Sequence, residues 1–294
     1  MLTLRIGFIV EKRYLKQTMP GAVIQALIKR GHRVEVLCPH AGYFESNTGY
    51  LRREEGSEFN LNHYDVIVSR NRNALGLAML AYADAAGIRA VNTHAASRQI
   101  RNKAKMGVVL CQAGVSCAPT ILADDIASFA HLPNDWFPLI LKATYGDNSQ
   151  GLRLVRCAED LNDIQWRDGL VLAQHYLPND GFDLKLYVCG EAVFAVRKPS
   201  PFNGDPNALP QLVQPDSAML HLALCCGRVF GLEIYGVDTI ETADGLAVIE
   251  VNEFPNFTGV PNAGELIADY ILTQAARQRN MDDADCLPLA KVGV

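Results

Sequence analysis

Asp238, Glu250 and Asn252 are three oxygen-bearing side chains set in otherwise apolar stretches, Tyr235-Gly236-Val237-Asp238 and Ala247-Val248-Ile249-Glu250-Val251-Asn252. Residues two apart on a strand face the same way, so Glu250 and Asn252 project together. The turn at Ala243-Asp244-Gly245 predicts an antiparallel hairpin that brings Asp238 beside them. A few hard carboxylate and amide oxygens are what Mg2+ takes when it bridges nucleotide phosphates, with waters and phosphate completing the octahedron. The plainer reading is three separate polar groups at strand ends, but acidic residues are uncommon inside apolar strands. Two lysines complement the cluster. Lys142 ends the apolar run Phe137-Pro138-Leu139-Ile140-Leu141, where an unpartnered charge is costly to bury, so it is expected to point at phosphate. Lys103 lies in the polar stretch Ile100-Arg101-Asn102-Lys103 that opens a helix. Taken alone, either lysine is more often a solvated surface group.

The elements that must position these groups follow from hydrophobic periodicity. Strands are expected at Leu4–Val10, Arg33–Cys38, Asp65–Ser69 and Arg89–Asn92, alternating with helices at Met19–Arg30 and Ala74–Ala86. That alternation predicts a parallel sheet with helices on both faces, its loop ends turned to a ligand; Arg70 and Arg72 follow one such strand directly. Ser97–Ala113 reads as a single helix ended by Gly114. Beyond Pro119 the pattern changes to short strands at Leu139–Lys142, Leu152–Arg156 and Leu170–His175, with a small helix near Ala158–Asp163. The polar, glycine-bounded segment Thr144–Gly151 reads as a covering loop. The last third offers strands at Asp183–Cys189, Val193–Val196, Ile234–Ile240 and Ala247–Val251, and helices at Ala218–Phe230 and Ala263–Ala276.

Composition narrows the function classes. The 294 residues are 49% hydrophobic and 20% charged, enough for two or three cores at roughly 100–200 residues each. The 27 basic and 32 acidic residues are interspersed, giving a net charge of -5 and no stripe for a nucleic-acid backbone. No apolar run approaches the roughly 18 residues that span a bilayer, and the N-terminus lacks a signal-peptide pattern. The eight cysteines form no CxxC pair and sit mainly in apolar runs, the usage of free thiols in a reducing cytoplasm. Neither nucleic acid nor membrane is expected as a partner, and the expected location is cytoplasmic.

The motifs taken in order resemble the ATP-grasp superfamily, in particular the branch of RimK-like ribosomal-protein glutamate ligases and inositol polyphosphate kinases. The matching pieces are Arg101-Asn102-Lys103, Ala113-Gly114-Val115 with Pro119-Thr120, Phe137-Pro138 through Lys142, Ala173-Gln174-His175-Tyr176-Leu177, Gly181-Phe182-Asp183-Leu184-Lys185, Gly236-Val237-Asp238 and Glu250-Val251-Asn252. Each is weak alone; their joint order and spacing is specific. The resemblance covers about Arg101 to Leu272 and, more loosely, the N-terminal unit. It implies an α/β, ATP-grasp fold: an N-terminal parallel α/β domain (1–97), a central lid subdomain (98–177) and a C-terminal subdomain with the metal site (178–294), the last two clamping ATP.

By the same resemblance, Lys103 and Lys142 contact ATP phosphates, and Ser149 and Gly151 belong to the loop that closes over them. Gln174, His175, Tyr176 and Leu177 form the adenine hinge, and Asp183 joins the nucleotide site. Asp238, Glu250 and Asn252 hold one or two Mg2+ ions, with Mn2+ as a substitute. Lys185, Arg197 and Lys198 are the expected catalytic cations. The implied activity is an ADP-forming carboxylate–amine ligase that makes an amide through an acyl phosphate from a small-molecule or peptide carboxylate and an amine. Relatives pair or form tetramers, so a homo-oligomer is also implied. Two departures keep alternatives open. The ligases' Asp-x-Arg is Asp183-Leu184-Lys185 here, and Arg and Lys are not interchangeable where a bidentate grip is needed. Lysine there, and the Gly190–Ser200 stretch, look more like the kinases. A small-molecule kinase of the inositol-phosphate type and a nucleotide-binding regulator without turnover are the other readings.

Overall fold

The computed structural model describes residues 3–145, 152–167 and 169–285. They divide into two compact units, one built from residues up to 94 together with those from 261 onward, the other from residues 95–260.

Unit one is the expected parallel α/β layer. It contains β1 (Arg5–Val10), α1 (Thr18–Lys29), β2 (Arg33–Leu37), β3 (Gly42–Glu45), β4 (Tyr50–Arg53), β5 (Glu58–Asn60), β6 (Val66–Arg70), α2 (Ala74–Ala85) and β7 (Arg89–Val91). The main sheet runs in the order β2-β1-β6-β7, all parallel, with Phe8 opposite both Val36 and Val68. Ile9, Leu37, Ile67, Met79 and Leu80 fill the core beneath α2, which starts where the Asn73 side chain accepts the Gly76 N–H at 2.7 Å. A three-stranded antiparallel sheet, β3-β4-β5, was not expected. Its strands have only three or four residues, too short for periodicity to declare.

Unit two contains α3 (His94–Arg101), α4 (Lys103–Gln112), β8 (Thr120–Ala123), β9 (Leu139–Ala143), β10 (Arg153–Val155), β11 (Val171–His175), β12 (Phe182–Cys189), β13 (Ala192–Pro199), β14 (Gln211–Val213), α5 (Ser217–Phe230), β15 (Ile234–Thr242) and β16 (Gly245–Glu253). The single helix expected over Ser97–Ala113 is two. Asn102 adopts extended backbone between them and its side chain accepts the Lys105 N–H at 2.9 Å, so a capping residue starts α4 anew at Lys103. Two antiparallel sheets follow, one of four strands in the order β10-β9-β11-β8 and one of five in the order β14-β13-β12-β15-β16. On the five-stranded sheet, Leu184, Leu186, Val188, Val237 and Val251 face α4 and α5, packing with Met106, Leu110 and Phe230. The alternate positions, Asp183, Lys185 and Asp238, face away from that core.

The last helix, α6 (Ala263–Asp285), belongs with unit one, which corrects the expected 178–294 subdomain. Arg30 of α1 ion-pairs with both Glu265 and Asp269, at 2.8 and 2.9 Å. A Cβ at Gly264 would stand 2.8 Å from that of Ala22, so glycine is what lets α6 approach α1 this closely. Among the described residues no helix is long and apolar enough to cross a membrane.

Candidate functional site

A cavity of about 350 Å³ in unit two lies between its two sheets. From the four-stranded sheet come Ile140 and Lys142 on β9 and His175 at the end of β11; Tyr176 and Leu177 follow. From the five-stranded sheet come Asp183, Lys185, Lys198, Asp238 and Glu250. Lys103, at the first turn of α4, completes the charged lining.

Strand register explains how these charges meet. Lys185 is the cross-strand partner of Asp238, and Asp238 of Glu250, so one row across β12, β15 and β16 carries cation, acid, acid. Pairing then shifts: Thr239 faces Val248, leaving Ile249 as a bulge. Without the bulge, strict alternation would set Val248 and Glu250 on one side; with it, Val248 and Val251 both enter the helix-side core while Ile249 and Glu250 both line the cavity. Asn252 lies two residues beyond Glu250 on the same face, opposite Gly236, but does not line the cavity. The expected trio is thus two carboxylates on the cavity with the amide further along their row.

Each carboxylate already holds a lysine. Lys103 Nζ sits 2.6 Å from Glu250 and Lys185 Nζ 2.7 Å from Asp238. Burial works against the Lys185 charge, but Asp238 outweighs it and the pKa rises. Lys142 is different: it donates to the Gln174 amide oxygen, and burial lowers its pKa to about 8, against weaker support from Glu250. The Gln174 nitrogen donates to Thr120 Oγ at 3.2 Å, which fixes the amide with its oxygen toward the lysine. Burial, and then Lys185 nearby, also lowers the pKa of Lys198. Burial raises that of Asp183 against Lys185, while Asn179 donates to its carboxylate at 2.9 Å.

Of the expected hinge residues, His175, Tyr176 and Leu177 line this cavity and Gln174 does not. The His175 N–H is committed to Pro119 O at 2.8 Å and the Tyr176 N–H to Pro138 O at 2.9 Å. Phe202 meets the Tyr176 ring edge-on at 6.0 Å and forms an aromatic wall that the sequence reading missed. It sits in Pro199-Ser200-Pro201-Phe202, a loop folded so tightly that a Cβ on Gly204 would lie 2.5 Å from Ser200 N and 2.6 Å from Gly181 O. An aromatic in a Pro/Ser/Gly loop right after a charged strand was the available signal. Ser200, Asn179, Ile240 and Ile249 line the cavity too and were also missed.

Arg197 is not brought to this cavity. Its cross-strand partner is Leu184, which faces the helix-side core, so alternation turns Arg197 away from Lys185 and Lys198. It bonds exposed Asp180 and stacks over the Phe182 ring at 4.8 Å. Ser149 and Gly151 lie outside the described residues. The part of their loop that is described is anchored: Lys103 N–H donates to Thr144 O at 3.0 Å, and Asn102 Nδ2 to the Tyr145 hydroxyl at 3.2 Å.

The donor set fits a hard divalent cation: two carboxylates in cross-strand register, with the Asn252 amide two residues beyond Glu250 on the same strand face. Among the described residues no group of three or more His, Cys, Asp or Glu is placed to hold a metal, so these protein donors would need oxygens from a ligand or water to complete a shell.

A "probable alpha-L-glutamate ligase 2" of Shewanella frigidimarina (strain NCIMB 400) is 26% identical over 283 residues, 88% of this chain and 92% of that protein. The crystal structure of a RimK domain ATP-grasp protein from Sphaerobacter thermophilus DSM 20745 superposes with a TM-score of 0.71 at 18% identity, covering 91% of this chain and 99% of that one. The ATP-grasp ligase PsnB, solved with a minimal precursor, Mg and ADP, superposes with a TM-score of 0.67 at 17% identity over 92% of this chain and 98% of its own. The family model described as the RimK-like ATP-grasp domain matches residues 100–274, more than half of the sequence, and the chain belongs to that family.

Proposed function

We propose that this chain, an ATP-dependent, amide-bond-forming ligase by its family, holds the nucleotide in the unit-two cavity and joins an amino acid of the L-glutamate class to the carboxylate of a peptide or small molecule. The observation that carries this is that one cavity gathers cations and acids together: Lys103 and Lys142 with Asp238 and Glu250, the two acids in register. In this reading Tyr176, Leu177 and Phe202 enclose the base. Since the His175 and Tyr176 N–H groups are committed elsewhere, the Leu177 N–H is the hinge donor. Lys142 and Lys103 take the phosphates, Lys103 exchanging its bond to Glu250 for one to phosphate oxygen.

Asp238, Glu250 and Asn252 would hold Mg2+, or Mn2+ in its place, which neutralises triphosphate charge during phosphoryl transfer. The acceptor carboxylate attacks the γ-phosphorus in line, giving an acyl phosphate and ADP. The amine then attacks the acyl carbon and phosphate leaves, so the amide forms with no covalent bond to the protein. Lys185 and Lys198, on the same face as Asp183 and Asp238, are placed to stabilise the oxyanion that develops. Arg197 has no part in this step. Among the described residues two cations stand on this acceptor side and one is committed to Asp238, a sparse set for a polyphosphate acceptor, which disfavours the kinase reading. The free thiols fit a cytoplasmic protein.

The test is release of inorganic phosphate from ATP as acids and amines are supplied singly and in pairs, with products weighed by mass spectrometry. Release that needs both partners, and a product equal to their sum less water, supports the ligase. Phosphate retained on the acceptor, or ATP binding without release across the panel, overturns it.

A further inference from the structure

The charged cavity is one end of a longer cleft. Across one face of the four-stranded sheet, Lys142 on β9 stands opposite Leu172 on β11, and Leu172 opposite Leu122 on β8. Ile140, Gln174 and Thr120 form the neighbouring row on the same face. Ile140 and Lys142 line the charged cavity; Lys142, Leu172, Leu122, Gln174 and Thr120 line a second one of about 250 Å³. The rest of its wall comes from Met106, Gly107 and Leu110 on α4 and from Val248 and Ile249 on β16. Along the row from Lys142 the polarity reverses the habit of a soluble protein: the buried end is the cation, and buried Leu172 leads outward to exposed Leu122. The Lys142 ammonium donates to the Gln174 oxygen, and Gln174 lines the second cavity and not the first, so the charge is presented to both. An ammonium has three donors, and Gln174 uses one of them. Helix α4 leaves the space open. Glycine inside a helix is destabilising, yet a Cβ on Gly107 would meet nothing within 4 Å, so no neighbour demands the bare position.

We propose that this second cavity binds a medium-chain monocarboxylate, its carboxylate on Lys142 and its hydrocarbon chain laid along Leu172 and Leu122 with Met106 and Leu110 on the other side. Such a ligand matches both parts of the lining. An anion compensates the buried cation through a charge-assisted hydrogen bond, and the chain removes apolar wall from water. Volume sets the length. At about 30 Å³ for an atom the size of a water molecule, the cavity holds roughly eight heavy atoms. Lys142 and Leu122 are two strand spacings apart, about 10 Å, so a chain of about six to eight carbons ends at exposed Leu122. A second charge partway along the chain would be buried against Leu172 without a partner, which selects for a single carboxylate at one end. Because Lys142 faces both cavities, the bound carboxylate contends with nucleotide phosphate for it, and occupancy inhibits. The inhibition rests on the ligase reading; the binding does not.

The test titrates the full chain, without nucleotide, with straight-chain carboxylates from butyrate to decanoate, each below the concentration at which it forms micelles, and reads binding by calorimetry. Affinity is expected to climb about fourfold per added methylene and to level off near octanoate, where the cavity is full. Octanol, which lacks the charge, should bind at least about tenfold more weakly than octanoate. Gly107→Leu should fold, fill the cavity and weaken octanoate by at least about tenfold, while ATP turnover measured without octanoate stays unchanged. Lys142→Met should bring octanoate down to the affinity of octanol. Absence of saturable binding, affinity that climbs past octanoate without levelling, or octanoate binding indifferent to Gly107→Leu overturns the proposal. Octanoate that binds as expected without raising KM for ATP upholds the site and overturns the placement of nucleotide phosphate on Lys142.

Discussion

The two sheets that wall the charged cavity handle buried lysine in opposite ways. On the four-stranded sheet, Lys142 is 6% exposed and donates to a neutral amide, and burial takes its pKa down to about 8. On the five-stranded sheet, Lys185 is directly bonded to Asp238 and its pKa rises. The first wall thus carries an under-compensated cation and waits for an anion; the second carries a compensated pair and is complete without one. A triphosphate would relieve the first and compete with the second. In the proposed reading Lys142 is the group that a bound anion would relieve, and Lys185 one whose charge the fold itself secures.

The sharpest way to break this contrast is Lys142→Met. It should lower kcat/KM for ATP by about 10²–10³-fold, as losing one preorganised donor does, while thermal stability holds or rises because a costly buried charge is gone. A large loss of stability would show that Lys142 is already paid for by the fold. Asp238→Asn should do the reverse on the other wall, stranding the Lys185 charge and costing about 2 kcal/mol of unfolding free energy in a denaturant titration. Little change would mean that the pair is not what secures Lys185.

Proton linkage separates the walls by sign. Lys142 drops from an ordinary 10.5 to about 8 in the fold, so between those values the unfolded chain binds more protons. Its contribution to stability without nucleotide therefore rises with pH across that window. Nucleotide binding needs the charged form, so affinity falls above about pH 8, approaching tenfold per unit, with proton uptake measurable by calorimetry in buffers of different ionisation enthalpy. Affinity and stability moving the same way with pH would contradict the assignment. Arg197→Ala is the smallest effect expected: its partner Asp180 is exposed and its face is turned from the cavity, so turnover should change by less than about threefold. A loss near a hundredfold would return Arg197 to the chemistry.

Much of this was legible because the relevant patterns are local. The hairpin of β15 and β16, the placement of Glu250 and Asn252 on one face, and the burial of Lys142 all follow from apolar runs interrupted by single polar residues. What escaped depends on register and long-range contact. Arg197 and Lys198 are adjacent in sequence and equally basic, and only the pairing with β12 shows that one faces the cavity and the other does not. The Ile249 bulge leaves no mark in the apolar run Ala247–Val251, yet it sets which acids reach the ligand side. The ion pairs Lys103–Glu250 and Lys185–Asp238 join residues 147 and 53 positions apart, beyond any window of periodicity. Helix α6 has an ordinary pattern, and nothing in it says which unit it will cover.

That helix has a consequence for synthesis. Because the chain leaves the N-terminal unit near residue 94 and returns only at residue 261, all of the intervening unit emerges from the ribosome before the N-terminal one receives its final piece. The nascent α1 face that Gly264 and Glu265 eventually cover must therefore wait, exposed, until all of residues 95–260 have been made, while that intervening unit is already free to fold.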